Sequence, residues 1–272
     1  MKKVSLTLCV LLLVTLFAVS CGGETTTTAP TTTAKETVMT TTSSVTTSLD
    51  VTTAPPKTTE APALKEYPIE GKTFMFLGSS VTYGSASGGV SFVEYIKSKG
   101  KCTVIKEAVS GTTLVDNGSS SYVQRLVNIL GAQYKDTKVD RLIVQLSTND
   151  ASQNKPLGKV SQNTESSKMN TQTIVGAIEF IIAYAKETWG CEVSFYTGTK
   201  YDSALYKKMV DALYDVQEKW GIGIIDLWND PEMNAVSAKD YAMYMADPIH
   251  PTSLGYRLWW TPKFIAHLKQ FP

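Results

Sequence analysis

Thr73-Phe74-Met75-Phe76-Leu77-Gly78-Ser79-Ser80-Val81-Thr82-Tyr83-Gly84 is the stretch on which the fold turns. Its first five residues form a short apolar run between Gly71 and Gly78, the pattern of a buried strand. The run stops at Gly78-Ser79-Ser80, where small residues permit a sharp turn. A serine at the end of a first parallel strand stands at the carboxyl edge of the sheet, where open α/β folds build their sites.

Downstream, apolar runs alternate with segments of helical spacing. The runs 102–109, 139–146, 191–197 and 222–227 read as four further strands. Helices are expected over 90–98, 122–130, 171–189 and 204–220, and from Ser253 to the end, with a break at Thr261-Pro262. The polar loop 147–170 is longer than a plain connection requires. Repeated βα units imply a parallel sheet with helices on both faces. Residues 64–272 suffice for one core and form one domain.

The chain before this domain reads differently. Residues 1–20 carry Lys2 and Lys3, then an apolar segment from Leu6 to Val19, too short for a comfortable membrane span. Ala18-Val19-Ser20-Cys21 resembles a bacterial lipobox, with Ala18 where Leu is commoner, which implies lipidation at Cys21. Ordinary secretory cleavage near Ser20 and an uncleaved anchor are the other readings. Residues 21–63 are dominated by Thr with Pro, Ala and Ser, and have too little apolar surface to offset chain entropy. They read as a disordered linker, a stalk or a passive spacer.

Removing residues 1–20 leaves 24 Lys and Arg against 25 Asp and Glu, a net charge of −1. Such a balance offers no basic track for nucleic acid. Cys102 and Cys191 each start a predicted strand. In a flavodoxin-like order, 2-1-3-4-5, those strands lie three places apart, roughly 14 Å. A disulfide needs Cα atoms within about 7 Å, so two buried thiols are expected.

The chain has two histidines. His267 lies among Phe264, Ile265 and Leu268, an ordinary surface or partly buried helix position. His250 sits in Asp247-Pro248-Ile249-His250-Pro251-Thr252, between prolines that fix φ and stiffen the loop. Asp247, three residues earlier, can reach the imidazole Nδ1 and fix its tautomer.

With Ser80 near the start of the domain and this block near its end, the chain resembles the SGNH (GDSL-type) hydrolases. Gly78-Ser79-Ser80-Val81-Thr82-Tyr83-Gly84 is similar to their nucleophile block, with Ser79 in place of the usual Asp. Glu107-Ala108-Val109-Ser110-Gly111 resembles N-x-x-x-G with Glu107 in the Asn position. Ser147-Thr148-Asn149-Asp150 resembles G-x-N-D with Ser147 replacing Gly. The four blocks occur in order across the domain. The resemblance implies a three-layer flavodoxin-like fold with a five-stranded parallel sheet in the order 2-1-3-4-5. It also implies Ser80 as nucleophile, His250 as base and Asp247 as its orienter. The oxyanion hole would be the N–H groups of Ser80 and Gly111 and the amide of Asn149, and no cofactor is implied. Glu107 would act on substrate if it faced the site, and would do nothing chemical on a sheet edge.

The expected protein is a lipid-anchored bacterial surface esterase that removes short acyl groups, acetyl above all, from carbohydrate. Lipid acyl esters and peptidoglycan O-acetyl groups are rival substrates of the same mechanism. A non-catalytic glycan-binding protein is a rival class. An α/β-hydrolase is another, but its elbow needs G-x-S-x-G and Thr82 takes the last glycine's place. Tyr83 is a candidate for the rim, whereas Trp228, Trp259 and Trp260 read first as core, with sugar stacking as their other role. No cluster has metal-ligand spacing, and the glycines of 78–89 lack the P-loop lysine pattern.

Overall fold

The computed structural model describes residues 65–271. The expected signal segment 1–20, Cys21 and the linker 21–63 lie outside them. Five strands, β1 (Thr73–Gly78), β2 (Thr103–Ala108), β3 (Arg141–Gln145), β4 (Glu192–Tyr196) and β5 (Gly223–Ile225), pair in parallel in the order β2-β1-β3-β4-β5. This is the expected order, and the fold is that of the SGNH hydrolases. The connecting segments carry α1 (Ser80–Tyr83), α2 (Phe92–Gly100), α3 (Tyr122–Arg125), α4 (Ala132–Tyr134), α5 (Thr148–Ser152), α6 (Ile174–Trp189) and α7 (Ala204–Trp220). After β5 come α8 (Pro231–Asn234), α9 (Ala238–Tyr244), α10 (Ser253–Gly255) and α11 (Thr261–Leu268).

Alternation along the strands divides the core into two layers. Met75, Leu77, Leu142, Val144, Val193 and Phe195 face α6 and α7. Phe74, Phe76, Ile143 and Tyr196 face the other way, onto Phe92 of α2 and Trp260 and Phe264 near the C-terminus. Phe92 stacks on Phe264 at 3.9 Å between ring centroids, which fastens α11 to α2. The long helices start and stop where the sequence has caps. Thr173 and Ser203 accept N–H bonds at the starts of α6 and α7, and Gly190 and Gly221 take left-handed conformations at their ends.

Three elements differ from expectation. The segment 122–130 is not one regular helix: a wide π turn, Leu126–Gly131, separates α3 from α4. The C-terminal helix does not break at Thr261-Pro262. Its irregularity lies just upstream, in a π turn over Tyr256–Trp260, where Thr261 Oγ1 donates to the Tyr256 carbonyl at 2.6 Å. Pro262 then falls in the first turn of α11, where its missing N–H costs nothing. The short helices α8 and α9, of four and seven residues, are too short to announce themselves by periodicity.

Cys102 and Cys191 are free and buried, as the strand order requires. Burial pushes the Cys191 thiol up to about 11. His267 is a correction: it is buried rather than at the surface, with Nε2 3.0 Å from Ser194 Oγ on β4. Among the described residues no helix is long and apolar enough to cross a membrane.

Candidate active site

The end of β1 is shaped for a tight turn. A Cβ on Gly78 would lie 1.7 Å from Thr82 Oγ1, so only glycine lets the chain fold back here. Gln145, at the end of the neighbouring strand β3, clamps the turn. Its Oε1 accepts from Ser79 N at 2.9 Å, Thr82 N at 3.2 Å and Thr82 Oγ1 at 2.9 Å. Ser79 contributes its N–H, while its Oγ is buried without a hydrogen-bond partner among the described residues. Ser80 opens α1, and its Oγ is 2.8 Å from His250 Nε2.

The histidine comes from the opposite end of the domain on a closed loop. Met245 and Pro251 form an antiparallel bridge, Ala246 N donates to the His250 carbonyl at 2.9 Å, and Thr252 N donates to the Tyr244 carbonyl at 2.8 Å. Within the loop, Asp247 Oδ1 accepts from the backbone N–H groups of Ile249 and His250, both at 2.8 Å. Its Oδ2 lies 2.7 Å from His250 Nδ1. Partial burial pushes this carboxyl up, but the Ile249 N–H and the two His250 contacts outweigh it and hold the group below its ordinary value. An ionised Asp247 fixes the proton on Nδ1 and leaves Nε2 free to accept from the serine hydroxyl. The structure thus brings Ser80, His250 and Asp247 together in one hydrogen-bonded line.

The remaining predicted residues occupy the same carboxyl edge. Gly111 follows β2 with φ +80°, a conformation that favours glycine, and nothing would crowd a Cβ there. Asn149 Nδ2 donates to the Thr112 carbonyl at 2.9 Å, which orients the amide and leaves its second N–H without a partner among the described residues. Ser147, in the usual Gly position, caps α5 by accepting from Asn149 N at 3.2 Å and also donates to Thr112 O at 3.3 Å. Asp150 is buried beneath the loop that follows Gly111, and accepts from Leu114 N at 2.7 Å and Val115 N at 3.0 Å. Burial raises its pKa against those bonds.

Glu107 has a structural partner. Its Oε1 lies 3.0 Å from Nη1 of Arg125, which is only 2 % exposed. Arg125 Nη2 donates to the Gly78 carbonyl at 2.9 Å and to Thr112 Oγ1 at 3.0 Å. The guanidinium therefore ties the serine turn to the Gly111 loop, and Glu107 neutralises it. Neither Arg125 nor Gln145 was singled out from sequence. The available signal was a polar residue inside an apolar pattern, Gln145 in VDRLIVQL and Arg125 in VQRLVNIL.

Two recesses share Thr199, which follows β4 at the carboxyl edge. A cavity of about 10 Å³, room for one water, lies between Val81, Thr148, Tyr196, Thr199 and Ile249. A larger one of about 390 Å³ is lined by Thr199, Lys200, Asn234, Tyr241 and Trp259. Tyr83 is exposed, Trp228 and Trp260 are core, and Trp259 is half-buried. Among the described residues no group of three His, Cys, Asp or Glu is arranged to hold a metal ion.

Comparison with known proteins bears on the family and the fold. The model of the GDSL-like Lipase/Acylhydrolase family matches residues 76–258, a span that holds the serine turn and the histidine loop. A protein from Lactobacillus plantarum is 19% identical, with a TM-score of 0.58 over 74% of this chain and 97% of its own. A Bacteroides ovatus protein titled a GDSL-like lipase is 13% identical, with a TM-score of 0.54 over 74% and 100%. A family two carbohydrate esterase from Clostridium thermocellum, solved with cellohexaose, is 14% identical, with a TM-score of 0.52 over 75% and 65%. These likenesses speak for the fold. No curated protein matches the chain. The family model spans the serine, the middle blocks and the histidine on a sheet of the expected order, and the chain is accordingly a carboxylic ester hydrolase that belongs to the GDSL-like lipase/acylhydrolase family.

Proposed function

We propose that the protein is a serine esterase that removes acetyl or similarly short acyl groups from extracellular carbohydrate. One observation carries the reading: Ser80 Oγ 2.8 Å from His250 Nε2, with Asp247 Oδ2 2.7 Å from Nδ1 of the same ring. Ser80 Oγ attacks the ester carbonyl carbon while His250 Nε2 takes the hydroxyl proton. The carbonyl oxygen becomes an oxyanion, held by the N–H groups of Ser80 and Gly111 and the second amide proton of Asn149. The C–O bond to the alcohol then breaks, His250 protonates the leaving oxygen, and an acyl-Ser80 ester remains. Water, deprotonated by His250, attacks that ester, and Ser80 leaves with the proton.

The one-water recess beside Val81, Thr148 and Ile249 favours a methyl-sized acyl end over a fatty chain. The carbohydrate esterase among the structural neighbours lends the sugar reading support. The lipobox-like Ala18-Val19-Ser20-Cys21 and the Thr-rich 21–63 favour a lipid-anchored, surface-displayed enzyme. Cys21→Ser is then expected to move the protein from the membrane fraction to the medium. Hydrolysis of p-nitrophenyl acetate tests the chemistry. Wild type is expected to be active and Ser80→Ala to lose at least about 10³-fold in kcat. Equal rates in the two would remove Ser80 as nucleophile.

A further inference from the structure

We infer that the 390 Å³ recess beside the His250 loop is the subsite for the sugar ring that carries the acyl group, with Trp259 as its stacking wall. This rests on the esterase reading above and adds where the alcohol side of the substrate sits. The volume falls within the ~300–1,000 Å³ of small-ligand sites.

The recess belongs to the site by construction. Thr199 and Lys200 follow β4 at the carboxyl edge, and Asn234 and Tyr241 come from α8 and α9, in the segment that leads from β5 into the His250 loop. Trp259 follows the same loop. Thr199 is a wall both of this recess and of the small one against Val81 and Ile249, the neighbours in sequence of Ser80 and His250. The Asp247 charge contributes to the raised pKa of Tyr241, behind the larger effect of burial, so the ring stands within electrostatic reach of the triad.

The lining fits a pyranose better than an acyl chain. Trp259 stacks on Tyr244 at 5.6 Å and 27°, and meets Tyr241 edge-on at 6.2 Å and 80°. An indole held on two sides offers a rigid apolar face to the C–H face of a sugar. Around it stand the Asn234 amide, the Lys200 ammonium and Thr199, which is 4% exposed and has an Oγ1 without a hydrogen-bond partner among the described residues. A buried hydroxyl left unpaired is costly, and a sugar hydroxyl would satisfy it. The Asn234 amide already donates to the Trp228 carbonyl at 3.0 Å and Met233, Val236 and Ala238 complete the lining, so Thr199 Oγ1 is the group that an alkyl chain in the same place would leave unpaired.

The test is kinetic, with the full-length protein and three probes: p-nitrophenyl acetate, p-nitrophenyl octanoate and partially O-acetylated xylo-oligosaccharide with released acetate measured. Trp259→Ala and the double change Lys200→Ala with Asn234→Ala are each expected to lower kcat/KM on the oligosaccharide at least tenfold, mostly through KM, while p-nitrophenyl acetate changes less than twofold. If wild type cleaves p-nitrophenyl acetate through Ser80 but the variants match it on the oligosaccharide, the subsite is refuted and the esterase stands. A larger loss on the octanoate than on the oligosaccharide would make the recess an acyl pocket and refute the proposal. Should Trp259→Ala lose all three substrates together through misfolding, the exposed-side change Lys200→Ala with Asn234→Ala decides on the same criterion. Failure of wild type on every ester would overturn both readings at once.

Discussion

Single residues at this site divide into those proposed to react and those that hold. Asn149 is the sharpest case, because one amide proton is already committed to the Thr112 carbonyl and only the other can meet an oxyanion. Asn149→Ala is expected to lower kcat on p-nitrophenyl acetate by about 10²–10³ with KM nearly unchanged. A fall in KM alone, or none in kcat, would take Asn149 out of the oxyanion hole. The residues proposed to react could be picked out in the sequence because each lies in a short block that is meaningful by itself. Asp247 and His250 are three apart, and Ser80 ends an apolar run. The holding residues could not, because their partners are distant. Gln145 meets Ser79 66 residues away, and Arg125 meets Gly78 47 residues away. No local pattern encodes such pairs. Glu107 illustrates the same limit: both roles considered for it omitted Arg125, the residue that decides it.

At the scale of elements, the catalytic line depends on how the loop 245–252 is seated on the helix after it. A Cβ on Gly255 would lie 2.1 Å from the Tyr244 carbonyl, one of the backbone groups that close the loop. Neither atom can yield without moving backbone. Gly255→Ala is therefore expected to cost about 1–3 kcal/mol of stability. It is also expected to reduce hydrolysis of every ester in proportion, since it displaces His250 rather than the substrate wall. Thermal unfolding together with rates on two esters of different alcohols checks this; loss on one ester alone would show that the loop tolerates the methyl. The strands and long helices were readable because apolar periodicity and Gly caps agree along them. The two π turns were not: each keeps an apolar face while widening the turn, so the periodicity survives and the hydrogen bonding changes. The short helices α8 and α9 span too few turns for periodicity to show, and their local signals are the caps Asp230 and Ser237.

The whole molecule has a second histidine whose position was misjudged from sequence, and it lies at the other end of the sheet. His267 sits against Ser194, which also accepts from Arg141 Nη1 at 2.9 Å. With the Ser194 oxygen accepting from Arg141 Nη1 and its O–H donating to His267 Nε2, the imidazole is neutral. Burial, helped by the Arg141 charge, pushes its pKa down to about 4 from 6.5. A depressed folded pKa means that the unfolded chain binds the proton first as pH falls. The stability contributed by neutral His267 is thus full above about 6.5 and is lost as pH falls through 4, a total on the order of 3 kcal/mol. Carboxylates such as Asp247 and Asp230, held below 3.8, lose their contribution only at lower pH, so the two effects separate on the pH axis. His267→Gln keeps a polar partner for Ser194 but cannot titrate. Unfolding free energies in urea between pH 7 and pH 4 are expected to fall steeply for wild type and only slightly for this variant, with both retaining the Ser80-dependent rate at pH 7. Parallel curves would mean that His267 is solvated in the fold, and the tie between the C-terminal helix and β4 would need another explanation.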